Sequence, residues 1–282
     1  MDDNSRPGTT ARRRVVEVVD GAALSRPDSV VTEEPLEIRL GWPGQPASRV
    51  AVTMRTPGAD FELAAGFLLS EGVLAVGDLP RTVAYCRDRA LRQEQLYNVV
   101  TVELDAPPRR NPAVRSTPIS SACGVCGTQS LDEVFTPCED ALGVEGVVDA
   151  GVVSRLPDEL MRHQRLFART GALHAAGVFD LAGGLVVARE DIGRHNAVDK
   201  VLGARQLRQT TYEDDSILCV SGRIGFDIIA KATAGRLAMV VAVGGPSSLA
   251  LELADRAGIT VCGFTRGSRY VVYTHPERIT GV

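Results

Sequence analysis

Ile217-Leu218-Cys219-Val220 runs into Ser221-Gly222-Arg223. Met239-Val240-Val241-Ala242-Val243 runs into Gly244-Gly245-Pro246-Ser247-Ser248, and Thr260-Val261-Cys262-Gly263-Phe264 into Thr265-Arg266-Gly267-Ser268-Arg269. Each is a short β-branched run that stops at small and polar residues, the pattern of a strand buried on both faces. Helical stretches over 225–234 and 247–257 separate them, and this alternation predicts βαβ units with three strands pointing the same way. Ligands of open α/β sheets bind just outside such carboxyl ends. There, glycines let backbone amides approach a phosphate, a helix start at Ser247 offers unpaired N–H donors, and Arg223, Arg266 and Arg269 offer forked cations. Glycines after strands also make tight turns unaided. With no full G-x-G-x-x-G or Walker pattern, both readings of Gly244 and Gly245 stand at this level.

Upstream, 185–188 reads as a strand and 189–200 (R-E-D-I-G-R-H-N-A-V-D-K) as a loop leading into a helix that starts near Ala197. So many polar groups around Gly193 point to a network, and Lys200 is one of only two lysines, with Lys231. His195 and His174 each fit a structural hydrogen-bonded role or a catalytic one. The proline- and arginine-rich stretch 106–118 cannot continue a strand or helix and reads as a linker. Before it, 15–105 is β-rich, with strands expected near 15–19, 36–40, 50–54 and 99–104. One helix follows Pro57-Gly58, with Asp60 as N-cap and Phe61, Ala64, Ala65 and Leu68 as an apolar stripe. The expected organisation is a disordered tail 1–14, a smaller β-rich domain 15–105, a linker 106–118 and an α/β domain 119–282.

The 282 residues, 44% apolar and 23% charged, exclude wholesale disorder and fibrous architectures. A net charge of −4 gives no global attraction to nucleic acid or anionic membranes, so no nucleic-acid partner is expected and any anion site is local. The most apolar stretch, 237–254, is broken by Gly244 to Ser248 and cannot span a bilayer. Arg12, Arg13 and Arg14 lack the following apolar segment of an export signal, since Glu17 and Asp20 interrupt it; a cytoplasmic location is expected.

Six cysteines are too few for a disulfide scaffold in a chain this long. Ser120-Ser121-Ala122-Cys123-Gly124-Val125-Cys126-Gly127 places two thiols in a glycine-flanked turn expected to be flexible and exposed. Three chemistries fit. Half a zinc site needs two more ligands, for which Cys138, His163 and His174 are scattered candidates, and no resident metal is assigned. Thiol–disulfide exchange expects a long helix after the pair, whereas only a short one fits 129–135. A persulfide relay needs an accessible thiolate on a loop, which this setting suits best, although spacing alone leaves all three open. Cys86, Cys219 and Cys262 sit in apolar surroundings as inert core residues. A zinc nucleobase deaminase is excluded, because His174-Ala175-Ala176 has alanine where H-x-E needs its carboxylate and the cysteine pair precedes the histidine.

The combination S-S-x-C-G-x-C-G at 120–127, T-G-A-L-H-A-A at 170–176, R-E-D-I-G-R-H-N-A-V-D-K at 189–200 and S-G-R-I-G-F-D at 221–227 resembles the formate dehydrogenase accessory sulfur-carrier family, FdhD. G-G-P-S-S at 244–248, G-F-T-R-G at 263–267 and Y-T-H-P at 273–276 extend the likeness over roughly 31–279. The resemblance implies a cytidine-deaminase-like three-layer α/β domain in a cytoplasmic homodimer. It implies a sulfurtransferase that accepts sulfur from a cysteine desulfurase as a persulfide on Cys123, with Cys126 as partner. It also implies delivery of that sulfur to the bis(molybdopterin guanine dinucleotide) molybdenum cofactor before insertion into formate dehydrogenase. The cofactor, a bound substrate, is placed by the same resemblance at Phe264, Thr265, Arg266, Gly267, Ser268 and Arg269. Gly244, Gly245 and Arg223 complete the expected site.

Overall fold

The computed structural model describes residues 8–88, 92, 95–110, 146–208 and 217–281. The chain begins with β1 (Thr10–Val19), β2 (Ala22–Val31), β3 (Glu34–Trp42), β4 (Gln45–Arg55), helix α1 (Asp60–Ser70), β5 (Thr82–Tyr85) and β6 (Val99–Glu103). After 145 come β7 (Val148–Asp149), α2 (Ala150–Arg162), α3 (Arg165–Thr170), β8 (His174–Phe179), β9 (Leu185–Asp191) and α4 (Arg194–Arg208). The remainder is β10 (Ile217–Val220), α5 (Phe226–Ala234), β11 (Met239–Ala242), α6 (Ser248–Ala257), β12 (Thr260–Arg266), β13 (Arg269–Thr274) and β14 (Ile279–Thr280).

The three apolar runs form the centre of a six-stranded sheet ordered β13-β12-β11-β10-β8-β9. β10, β11 and β12 are parallel to one another, as expected, and the flanking strands are antiparallel. Alternate side chains point to opposite faces of a strand. Leu218, Val220, Val240 and Ala242 therefore enter one apolar cluster, and Ile217, Cys219, Met239 and Val241 another. α2 covers the second face with Val152, Val153, Leu156 and Leu160, whereas residues of α4, α5 and α6 cover the first. Burial on both sides is why these strands read as unbroken apolar runs. The expected three-layer α/β architecture is present.

A second sheet, ordered β4-β3-β6-β5, stands beyond α1. α1 lies between this sheet and α4 and is buried around most of its circumference, at Leu63, Ala64, Ala65, Phe67, Leu68 and Leu69, not along one stripe. Phe61 is only partly buried and tilts against Tyr85, ring centroids 4.8 Å apart. Gly66 of α1 and Gly203 of α4 meet where the helices cross. A Cβ on Gly66 would overlap the Asp199 carbonyl, and one on Gly203 the Glu62 carbonyl. One core cluster consequently runs from Leu36 and Ile38 through Leu68 and Val201 to Val240. The core does not divide where the sequence places a linker.

Several local expectations are corrected. Regular structure starts at Thr10, not Val15, because 10–14 pair with 27–31 in the β1–β2 ladder, which polar side chains tolerate on a solvent-facing ribbon. Ala59, in the left-handed region at φ 55°, is the N-cap of α1. Asp60 is instead the first helical residue, and its carboxylate accepts from Arg55 Nε and Nη2 at 3.0 and 3.1 Å, from the Gly58 amide at 3.2 Å and from the Tyr85 hydroxyl at 2.8 Å. Arg189, Glu190 and Asp191 belong to β9 and not to a loop, held by the β8 ladder through His174↔Asp191. Helix α2 went unforeseen because Pro157 lies inside it. The expected helix over 129–135 and residues 111–118 of the proposed linker lie outside the described residues. No described helix is long and apolar enough to cross a membrane.

The glycine crossing yields a direct expectation. Gly66→Ala or Gly203→Ala forces the helices apart and should cost about 1–3 kcal/mol or more, as overpacking of a filled core does. Urea denaturation checks it, with Gly77→Ala, where the added carbon meets nothing within 4 Å but φ is +89°, as a comparison limited to backbone strain.

Candidate functional site

The carboxyl ends of β10, β11 and β12 lie side by side and are stitched by backbone hydrogen bonds. The Gly244 amide donates to the Gly222 carbonyl at 3.1 Å, Ile224 to Gly245 at 3.1 Å, Ser247 to Ile224 at 3.0 Å and Phe264 to Gly244 at 3.1 Å. A Cβ on Gly244 would meet Gly222 O at 2.8 Å, and one on Gly245 would meet the Phe264 ring at 2.5 Å. Glycine is required here for loop-against-loop packing. Two of the amides expected to cradle phosphate, those of Gly244 and Ser247, are already committed to carbonyls, and the Ser247 hydroxyl accepts the Ala250 amide as helix N-cap.

Phe264 takes φ 53° and leaves its ring 47% exposed over Gly245. Thr265 beside it is fully buried, with no hydrogen-bond partner for its hydroxyl. Arg266, Gly267, Ser268 and Arg269 form the exposed turn between β12 and β13, and Arg223 is exposed on the neighbouring loop. The structure thus brings Arg223, Gly244, Gly245 and Phe264 to Arg269 to one edge of the sheet. An exposed aromatic face and three exposed guanidinium groups suit a planar anionic ligand, whereas the Thr265 hydroxyl points into the interior and is not presented at this edge.

The 189–200 cluster is mostly architectural. Asp191, fully buried, receives Lys200 Nζ at 2.6 Å, the Thr56 amide at 3.1 Å, the Gly193 amide at 2.8 Å and Asn196 Nδ2 at 3.0 Å. Lys200 also donates to the Thr56 carbonyl at 2.9 Å, and Asn196 to the Met54 carbonyl at 2.7 Å. The other lysine, Lys231, grips both oxygens of Asp199 at 2.7 and 2.8 Å, and Ser70 donates to the same carboxylate at 2.7 Å. These bonds clamp the end of β4 and the end of α1 onto α4.

The clamped turn presents two histidines. His195 Nε2 lies 2.5 Å from Asp227 Oδ2 at the start of α5, both largely buried. Burial opposes the Asp227 charge, but the hydrogen bond from His195 and the nearby Arg194 outweigh it and hold the carboxyl below its ordinary range. Asp227 closes the S-G-R-I-G-F-D motif at 221–227, but nothing in local spacing links it to His195, thirty-two residues earlier. His174, at the first position of β8, faces Gly222, and burial together with the charges of Arg194, His195 and Arg223 favours its neutral form. It lines a cavity of about 380 Å³ walled by Leu160, Met161, Phe167, Ile192 and Val243, with Ser221 at the β10 end.

Cys123, Cys126 and Cys138 lie outside the described residues. Cys219 and Cys262 are fully buried, as expected, and burial pushes both thiols up, Cys262 to about 12. Cys86 is not a core residue: it is half-buried and accepts from Arg39 Nη1 at 3.8 Å. Among the described residues no three His, Cys, Asp or Glu side chains form a metal-binding group.

Fold and site together define a mixed α/β protein whose strand-end crevice is braced by a second sheet. A model of the FdhD/NarQ family matches residues 31–280, and the chain belongs to that family. It is 46% identical over 277 residues to the sulfur carrier protein FdhD of Streptomyces coelicolor, covering 96% of this chain and 95% of that one. It is 45% identical over 278 residues to the sulfur carrier protein FdhD of Mycobacterium bovis, covering 96% and 99%. In fold it is similar to a crystal structure of a putative formate dehydrogenase accessory protein from Desulfotalea psychrophila, with a TM-score of 0.74 at 24% identity over 96% of this chain and 100% of that one.

The ionisable groups set two expectations. Lys200→Met strands the buried Asp191 charge and should cost about 3–5 kcal/mol by chemical denaturation at pH 7. His174 is held below its ordinary value, so the unfolded chain binds its proton first and stability falls as pH drops through the ordinary histidine range. His174→Gln should flatten that limb between pH 7 and 5, whereas Asp227→Asn should flatten only the limb below the ordinary carboxylate range.

Proposed function

We propose that the chain is a sulfur carrier that serves formate dehydrogenase. The observation that carries the reading is near-full-length identity of 46% to a protein named for that role, together with the Cys123-x-x-Cys126 pair. The chain acts as a homodimer in the cytoplasm and takes its sulfur from a cysteine desulfurase. The Cys123 thiolate attacks the outer sulfur of the donor's persulfide, an S–S bond forms at Cys123, and the donor leaves as a thiolate. Cys126 then attacks the inner sulfur of Cys123–S–SH. A Cys123–Cys126 disulfide closes, the outer sulfur departs as hydrosulfide to molybdenum, which favours sulfur ligands, and an external thiol later reopens the disulfide.

The substrate, the bis(molybdopterin guanine dinucleotide) molybdenum cofactor, is assigned to the crevice outside β10, β11 and β12. Arg223, Arg266 and Arg269 would meet its phosphates and the Phe264 face a heterocyclic ring, with buried Thr265 supporting the strand end from behind. Because the amides of Gly244 and Ser247 are spent on neighbouring loops, the phosphate load in this reading falls on the arginines. The exposed guanidinium groups support the reading. The Gly244 amide is committed to Gly222, and the close packing of Gly244 and Gly245 against the neighbouring loops gives both glycines a part in shaping the crevice.

Peptide mass spectrometry after incubation with a cysteine desulfurase and cysteine should find a reducible gain of about 32 Da on the Cys123 peptide. The gain should be absent in Cys123→Ala, which keeps wild-type denaturation behaviour. Cofactor binding that persists without any sulfur gain would favour a thiol-independent cofactor chaperone. Stoichiometric zinc lost with structure on chelation would favour a zinc-stabilised module.

A further inference from the structure

β1 and β2 form a ten-pair antiparallel ribbon, from Thr10↔Val31 to Val19↔Ala22, and it is a sheet of its own. Among the described strands none pairs with either of its edges. A two-stranded hairpin in water is marginal, and a long apolar edge is a template for further pairing. Yet the half of this ribbon nearest its turn exposes large apolar side chains on both faces. Val16 and Val18 are 66% and 65% exposed on one face, and Val19 and Leu24 are 59% and 64% exposed on the other. The one charge among these valines, Glu17, is paired with Arg26 across the ribbon at 3.0 Å.

The pattern along β1 says what fits there. Even-numbered residues Arg12, Arg14, Val16 and Val18 share one face, and Arg13, Val15, Glu17 and Val19 share the other. A twofold axis normal to the ribbon would pair β1 with β1 of a second copy, antiparallel and with faces preserved, so residues of equal parity stand opposite. Centring on Val15 sets Arg13 opposite Glu17 of the second copy, twice, and lays the stems of Arg12 and Arg14 over Val18 and Val16 of that copy. The neighbouring registers fail. Centring on Arg13 or Arg14 opposes an arginine to itself, and centring on Val16 leaves Arg13 facing Val19. On the same face the hairpin presents Arg26, bonded to Glu17 at 3.0 Å and to Asp28 at 3.1 Å, so two cations and two carboxylates form a self-complementary set.

We infer that the β1–β2 ribbon is the surface by which two copies of this chain join, β1 against β1 about Val15, giving a four-stranded sheet β2-β1-β1-β2. Four strands reach the size at which such a sheet holds together. The inference rests on the reading of the chain as a homodimer and supplies its interface and register.

Light scattering on the full chain after size exclusion tests it. The wild type should elute at about twice 30.0 kDa. Val16→Glu with Val18→Glu should be monomeric at the same concentration with an unchanged melting curve. Arg13→Glu and Glu17→Arg should each weaken the dimer at least about tenfold, near 1.4 kcal/mol, and their combination should restore it. On mild oxidation Val15→Cys should form a disulfide-linked dimer that the wild type and Val19→Cys do not. A monomeric wild type would overturn both the homodimer and the ribbon. A dimer that survives the double glutamate substitution, with no Val15→Cys cross-link, would overturn the ribbon and leave the homodimer standing.

Discussion

Everything at the strand ends depends on the contact between two helix backbones. Where Gly66 meets Gly203, α1 and α4 approach until carbonyl oxygens occupy the space that side chains would need. That distance lets Lys231 of α5 and Ser70 of α1 share Asp199 of α4, and lets Glu62 of α1 pair with Arg189 of β9 at 2.5 Å. A buried ion pair contributes little net stability when compared with a well-packed apolar pair, but it tolerates only one arrangement of its partners. The glycines set the separation and the charges set the register.

The consequence reaches the chemistry through the Asp191 turn. Asp191 spends both carboxylate oxygens on Lys200, Thr56, Gly193 and Asn196, and two of these ties bring in the edge strand β4 of the second sheet and the segment after it. The turn so fixed points His195 at Asp227 and leaves Arg194 beside His174. The N-terminal half is therefore a brace for the strand-end crevice and not a separate module tethered by a linker.

Much of this was legible in the sequence, for a physical reason that also marks where legibility stopped. Strands β10 to β12, buried on both faces, must be apolar at every position, and their helices must begin at small capping residues, so pattern alone fixed them within a residue or two. α2 was hidden because Pro157 is a helix breaker in local terms, although its ring sits in the helix's buried face. The role of Asp60 was misassigned because its strongest partner, Arg55, approaches from a neighbouring strand and not from the helix backbone. The motif around Gly193 showed its density of polar groups but not their purpose. Its partners Met54 and Thr56 lie more than a hundred residues away, and no spacing rule reaches that far.

The crevice shows the same division. Arg223, Arg266 and Arg269 are legible in sequence as charges at strand ends, and all three stand exposed there, with their donor forks turned to solvent. Gly244 and Gly245 read in sequence as amide access, yet all three loops pack through them, Gly244 against Gly222 and Gly245 against Phe264. Glycine at a strand end thus serves close approach in either case. What distinguishes a ligand cradle from a loop seam is where the amides point, a property of the folded backbone and not of composition. In this crevice the amides of Gly244 and Ser247 are spent on holding the loops and the helix start together, while the three guanidinium groups stand exposed at the surface.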